Sequence, residues 1–84
     1  MLRIETKTKL SPEAAIKKAL EFFGPGGEGL TVKEQSSTFA RFEGGGGAVE
    51  VLACAEGKVS SVKLTTQEWE IQVKKFNEKI SGIS

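Results

Sequence analysis

Apolar or threonine side chains alternate with charged ones along the first ten residues of the chain. Leu, Ile, Thr, Thr and Leu occupy the even positions from 2 to 10, and a charged residue stands between each pair of them. Alternation with a period of two residues is typical of a β-strand that has one face in contact with solvent. The pattern therefore predicts a first strand over residues 2–10.

A helical period replaces this alternation after Ser11. Apolar side chains now recur three and four positions apart, which places them on one side of a helix. They are Ile16, Ala19, Leu20 and Phe23. Ser11 is a suitable N-cap, and Pro12 fits the first helical position because the missing N–H is not needed there. Gly24 and Pro25 predict the end of the helix.

Four further apolar runs, joined by short polar or glycine-rich turns, predict four strands. Their ranges are 30–35, 38–43, 48–55 and 59–65. Four consecutive glycines at 44–47 separate the middle two runs, and Glu56-Gly57 separates the last two. Both separators are typical of tight hairpins. The glycine run also leaves room for a change of strand register.

A second amphipathic helix is predicted near the end of the chain. Its apolar positions are Trp69, Val73, Phe76 and Ile80. Thr65 and Glu68 have the spacing of a capping box and predict its start, with Thr66 as an alternative N-cap. Ser81-Gly82 predicts its end. Ile71 lies on the opposite side of this helix, where it is either a single exposed side chain or a contact with another chain.

These elements predict one α+β domain over residues 1–84, in the order β-α-β-β-β-β-α. Short turns make strands two to five an antiparallel meander. Because each helix has one apolar stripe, both should cover the same sheet face, as a two-layer sandwich. The residues expected beneath the helices are Ala40, Phe42, Val49, Val51, Val62 and Leu64.

The order of elements resembles one repeat of the TATA-binding-protein-like fold. It is also similar to the helix-grip proteins, the START and plant-allergen-like ligand carriers. The helix-grip resemblance implies a small apolar ligand between the sheet and the C-terminal helix near Trp69. The segment RFEGGGG and the last helix resemble short bacterial proteins of unassigned function, which implies no activity.

Composition and charge narrow the function classes. The chain has 12 Lys and Arg against 11 acidic residues, a net charge of +1. Domains that wrap nucleic acid usually carry a basic excess, so we expect no nucleic-acid partner. All acidic residues are Glu, and Asp, His and Tyr do not occur. This removes most of the groups used in acid–base catalysis and metal binding, so we expect no enzyme, cofactor or metal.

Cysteine use and hydropathy predict a soluble cytoplasmic protein. A single cysteine, Cys54, cannot form an internal disulfide, which fits a reducing compartment. The first ten residues lack the apolar core of a signal peptide. No apolar run approaches the roughly 20 residues of a membrane span. We therefore expect no membrane partner.

Two glycine-rich segments suggest phosphate binding, but the context argues against it. Residues 24–29, GPGGEG, match G-x-G-x-x-G, yet that fingerprint needs a strand before it and a helix after it. The predicted order is the reverse, so we interpret the segment as a connecting loop. The glycines at 44–47 could present backbone N–H groups to an anion. We favour a flexible hairpin loop, because glycine-rich turns are common without a ligand.

Other candidate chemistry also has a simpler interpretation. Cys54 lacks a histidine base, so we interpret it as a packed side chain rather than a nucleophile. Glu43, Glu50 and Glu56 could form an acid–base pair. Pairing across strands with basic residues is the favoured interpretation. The basic residues considered are Arg41, Lys58 and Lys63.

The second face of the predicted sheet is more apolar than a solvent-exposed face should be. Phe39, Leu52, Cys54 and Val59 point away from the helices unless a bulge turns them inward. We therefore expect a non-catalytic domain that associates with itself or another protein through the open face or edge of its sheet, most simply as a homodimer. The alternative is an apolar-ligand carrier. The candidate contact residues are Phe39, Leu52, Cys54, Val59, Ile71 and Trp69.

Overall fold

Seven elements follow one another in the order that the sequence pattern predicts. The computed structural model describes residues 1–81, so the predicted helix end at Gly82 lies outside the described residues. The elements are β1 (Leu2–Thr8), α1 (Pro12–Phe23), β2 (Thr31–Gln35), β3 (Phe39–Gly44), β4 (Gly47–Glu56), β5 (Val59–Gln67) and α2 (Glu70–Ser81). The α+β class and the β-α-β-β-β-β-α order are confirmed.

The five strands form a single antiparallel sheet in the order β1-β5-β4-β3-β2. Strands β2 to β5 are a meander, as the short turns predict. Because β1 pairs with β5, the segment containing α1 carries the chain from one edge of the sheet to the other. The two edges are therefore β1 and β2.

Both helices pack on one face of this sheet and close a single apolar core. The six strand residues expected beneath the helices are all fully buried. Three phenylalanine rings join the layers: Phe23 of α1 lies 5.5 Å from Phe42 of β3 and 5.3 Å from Phe76 of α2. Tilted ring pairs at these distances are favourable contacts in addition to the area they bury. The helices leave the other face of the sheet without a second layer.

Helix α1 begins and ends where its caps predict. The Ser11 hydroxyl accepts a hydrogen bond from the Ala14 N–H at 3.2 Å, as an N-cap does. After the helix, the N–H of Gly24 donates to the Leu20 carbonyl, and the N–H of Glu28 donates to that of Phe22. The GPGGEG segment is therefore a helix-ending loop, and these N–H groups are engaged within the chain.

The glycine hairpin keeps one register from end to end. Pairing between β3 and β4 runs without a shift from Phe39–Leu52 to Gly44–Gly47. Gly45 and Gly46 form the two-residue turn with φ of +57° and +81°, as a type I′ turn requires. The register change for which the glycine run leaves room does not occur there. The shift in this sheet lies between Val32 and Glu34 of β2, where Lys33 bulges.

Helix α2 starts later than the capping-box prediction. Strand β5 continues to Gln67, because Thr65 and Thr66 pair with β1 on one side and β4 on the other. The Thr66 hydroxyl donates to the Ala48 carbonyl at 2.7 Å rather than capping a helix. Glu68 then turns the chain with φ of +75°. Trp69 closes the first helical turn, since its carbonyl accepts from the Val73 N–H.

Candidate functional site

The open face is the side of the sheet that α1 and α2 do not cover, and its centre is a small apolar patch. Phe39 of β3 lies directly opposite Leu52 of β4, and Cys54 follows Leu52 on the same face. We call these three residues the apolar patch. Leu52 is 38% exposed, and Phe39 is half-buried. Directly opposite cross-strand side chains touch, so the patch is continuous.

Cys54 is exposed on this face, which makes the packed-side-chain interpretation wrong. Its outward position on β4 places it opposite Ser61 of β5, where none of the described elements packs over it. A cysteine on β4 would be buried only on the face that the helices cover, and Cys54 lies on the other face. Val59, the fourth expected outward residue, is half-buried opposite Glu56 at the end of the β4–β5 hairpin.

Several charged side chains of the open face form ion pairs. Arg41 donates to Glu43 through Nε at 3.2 Å and also binds Glu50, which lies directly opposite it on β4. The hydrogen bond to Glu43 raises the pKa of the Arg41 guanidinium, and Glu50 acts in the same direction. Glu50 therefore pairs with Arg41 across strands, as the sequence predicts, whereas Glu43 shares this arginine from within β3. This arrangement offers ion pairing rather than acid–base chemistry.

The third glutamate pairs with a cation that the sequence analysis did not consider. Glu56 binds Lys7 of β1, and this hydrogen bond raises the pKa of Lys7. Glu5, also on β1, accepts a hydrogen bond from the Ser61 hydroxyl at 2.9 Å. Both Lys7 and Glu5 belong to β1, which lies next to β5 in the sheet. The order of the elements along the chain does not by itself predict that these two strands are neighbours.

Trp69 lies at the periphery of the core rather than in a ligand cavity. It is half-buried, and its Nε1 donates to the Gly44 carbonyl at 2.9 Å. The ring rests on Gly45, whose Cβ, if present, would lie 3.0 Å from it. Beneath α2 the space is filled by side chains with no solvent exposure, namely Val73, Phe76 and Ile80.

Two depressions of the protein surface lie away from the Trp69 ring. One of about 370 Å³ lies between the helices beside Phe22 and Phe76, and one of about 550 Å³ borders the glycine hairpin. Trp69 lines neither of them. Ile71 is 66% exposed on the outer side of α2, away from the sheet. The six candidate contact residues therefore divide among the open face, the core periphery and the helix layer.

The edge strand β1 is the part of the sheet that sequence reasoning did not single out. Its seven residues pair with β5 without a shift, from Leu2–Thr66 to Thr8–Ser60. Its outer hydrogen-bonding side has no partner strand in the sheet order. The sequence feature that could have drawn attention to β1 is the alternating charge sign of Arg3, Glu5 and Lys7.

Comparison of the sequence with protein-family models and with curated proteins gives no match. Neither helix described within residues 1–81 is long and apolar enough to cross a membrane. Within the same residues, no cluster of Cys or Glu side chains is placed to hold a metal ion. The function therefore has to be inferred from the residues of the sheet and their surroundings.

Proposed function

We propose that this chain is a small non-catalytic domain that associates with protein through its β-sheet, with a homodimer as its simplest assembly. The observation that supports the proposal most is the one-sided cover of the sheet. Both helices lie on one face, so the open face and the β1 edge have nothing packed on them among the described residues. A two-fold dimer uses the same surface twice, so a single self-complementary surface is enough.

The apolar patch adds support for a contact surface on the sheet. Phe39 and Leu52 are adjacent across two strands, and charged side chains lie beside them on the same face. Exposed apolar groups rimmed by polar residues often mark a protein contact. The patch is small, however, and a stable interface normally buries about 800 Å² on each partner. A sheet contact between two copies therefore has to involve more of the sheet than this patch.

The absence of usual catalytic groups supports a non-catalytic role. The chain contains no His, Asp or Tyr, and its exposed thiol, Cys54, therefore has no histidine to act as a base. Glu43 and Glu50 are engaged by Arg41. An apolar-ligand carrier, the alternative expectation, has less support because the side chains beneath α2 are fully buried and fill that space.

Size-exclusion chromatography with light scattering tests the proposal by measuring the molar mass of the protein over a range of micromolar concentrations. We expect a species of twice the 9.0 kDa chain mass. Ile71→Glu is the matched control, because it removes an exposed apolar side chain from the helix layer and leaves the sheet intact. Phe39→Glu tests whether the open face contributes. A monomer at every concentration contradicts the proposal, and so does a dimer that Ile71→Glu dissociates.

A further inference from the structure

We propose that β1 pairs in antiparallel fashion with β1 of a second copy, about a two-fold axis through Ile4. This inference rests on the self-association proposed above and names the surface and register that carry it. Two five-stranded sheets would then join into one ten-stranded sheet. The open faces of both copies would lie on the same side of it, with their apolar patches free for another protein.

The two edges of the sheet differ in how far they are protected against strand pairing. Edge strands expose unpaired N–H and C=O groups, and proteins protect them with bulges, short length or inward-pointing charges. Strand β2 has five residues and a bulge at Lys33. Strand β1 has seven residues in regular pairing with β5. Only β1 therefore presents a straight, unbulged edge.

The side chains of β1 also leave the edge open. Its charged residues, Arg3, Glu5 and Lys7, all lie on the open face. The positions that face the helix layer are Leu2, Ile4, Thr6 and Thr8, none of which is charged. An inward-pointing charge is a common device against edge-to-edge pairing, because a second strand would bury it. That device does not occur in β1.

The sequence of charges on β1 selects the register. Directly opposite residues of an antiparallel pair lie on the same sheet face, and neighbours along a strand lie on opposite faces. A two-fold axis perpendicular to the sheet must therefore pass through a residue. With the axis at Glu5, Glu5 would oppose its own copy and Arg3 would oppose Lys7 of the second copy. Like charges directly opposite are destabilising, so this register is disfavoured.

The axis at Ile4 gives the best complementarity. Arg3 then opposes Glu5 of the second copy, and the symmetry repeats this pair. On the helix side, Ile4 opposes Ile4 and Leu2 opposes Thr6, so apolar surface is covered. An axis at Thr6 would instead pair Glu5 with Lys7, whose ammonium group already binds Glu56. The Thr6 register would also place a threonine at the axis and set Ile4 opposite Thr8 rather than opposite a second Ile4.

Charge reversal on β1 tests both the surface and the register. We expect Arg3→Glu or Glu5→Arg alone to weaken dimerisation about tenfold or more, since each replaces two opposite-charge pairs by two like-charge pairs. The double variant restores both pairs with their signs exchanged and should dimerise as the parent does. An equimolar mixture of the two single variants should form a heterodimer, which native mass spectrometry resolves.

The controls separate this pairing from effects within one chain. Glu5→Arg also removes the hydrogen bond from Ser61, so Ser61→Ala is the matched variant and should leave the dimer unchanged. Preferential heterodimer formation supports pairing between the Arg3 and Glu5 positions of different copies when the double variant, which has the parent's net charge, also dimerises. It remains informative even where one single variant is less stable as a folded chain.

The outcomes distinguish the two proposals. A parent protein that is monomeric at all concentrations overturns both. A dimer that no β1 charge reversal affects overturns the edge pairing and leaves sheet association standing. A dimer that Glu5→Arg weakens, that Arg3→Glu does not, and that the double variant fails to restore overturns the Ile4 register.

Discussion

A side chain at Gly47 would collide with the connection between β5 and α2. A Cβ placed there would lie 2.1 Å from the Gln67 carbonyl oxygen and 2.6 Å from Cβ of Glu68. Ordinary contact begins at 3.4 Å, so the hairpin or the β5–α2 connection would have to move by about 1.3 Å. Overpacking of this kind costs about 1–3 kcal/mol and sometimes more. Because the obstacle is backbone, we expect Gly47→Ala to cost about 3 kcal/mol.

Two other glycines provide matched controls for this substitution. Gly46 has open space around its Cβ position but a φ of +81°. Gly46→Ala should therefore be destabilising only because alanine disfavours the left-handed backbone conformation, by about 1–2 kcal/mol. Gly26 has open space and no positive φ. Gly26→Ala should therefore be neutral or stabilise the protein by up to about 1 kcal/mol, because alanine lowers the conformational entropy of the unfolded chain.

Urea unfolding followed by fluorescence measures all three variants. Trp69 is the single tryptophan and rests on Gly45 of the same hairpin, so it reports directly on this region. Protein concentration must be equal throughout, because the proposed dimerisation would make the apparent stability depend on it. A Gly47→Ala cost within about 0.5 kcal/mol of the Gly46→Ala cost would refute the close approach of Gln67. A total stability of about 4–13 kcal/mol leaves room to measure the difference.

Two further substitutions test the connection into α2, both by the same unfolding assay. Glu68→Gly should stabilise by up to about 1 kcal/mol, because glycine adopts a φ of +75° without the clash that Glu68 experiences. Destabilisation by this change would contradict the view that Glu68 is strained by its positive φ. Trp69→Phe should destabilise by about 1–2 kcal/mol, because the Gly44 carbonyl loses the indole donor. A variant as stable as the parent would show that this hydrogen bond contributes nothing net.

Periodicity predicted the core well because burial follows the period of each element. Alternation along β3 and β4 places Phe42 and Val51 towards the helices, and both are fully buried. The helical stripes likewise identified Phe23 and Phe76. These positions follow from local geometry alone, so no knowledge of strand order was needed.

The features that sequence reasoning missed depend on contacts between distant segments. Thr65 and Thr66 have good capping chemistry, but pairing with β1 and β4 satisfies their backbone groups in a strand. Glu56 pairs with Lys7 because β1 lies beside β5 in the sheet. Cys54 is exposed because no segment within residues 1–81 covers the open face. In each case tertiary pairing outweighed a local preference.

Disulfide trapping at Ile4 tests the proposed assembly most directly. In a Cys54→Ser background, Ile4→Cys would place two cysteines opposite each other at the axis, with Cα atoms about 4.5–5.5 Å apart, within disulfide range. Thr6→Cys is the control, because its two copies would lie about 13 Å apart in the same register. Under mild oxidation, we predict a covalent dimer from Ile4→Cys and none from Thr6→Cys. Trapping at Thr6 alone, or at neither position, would contradict the pairing of β1 about Ile4.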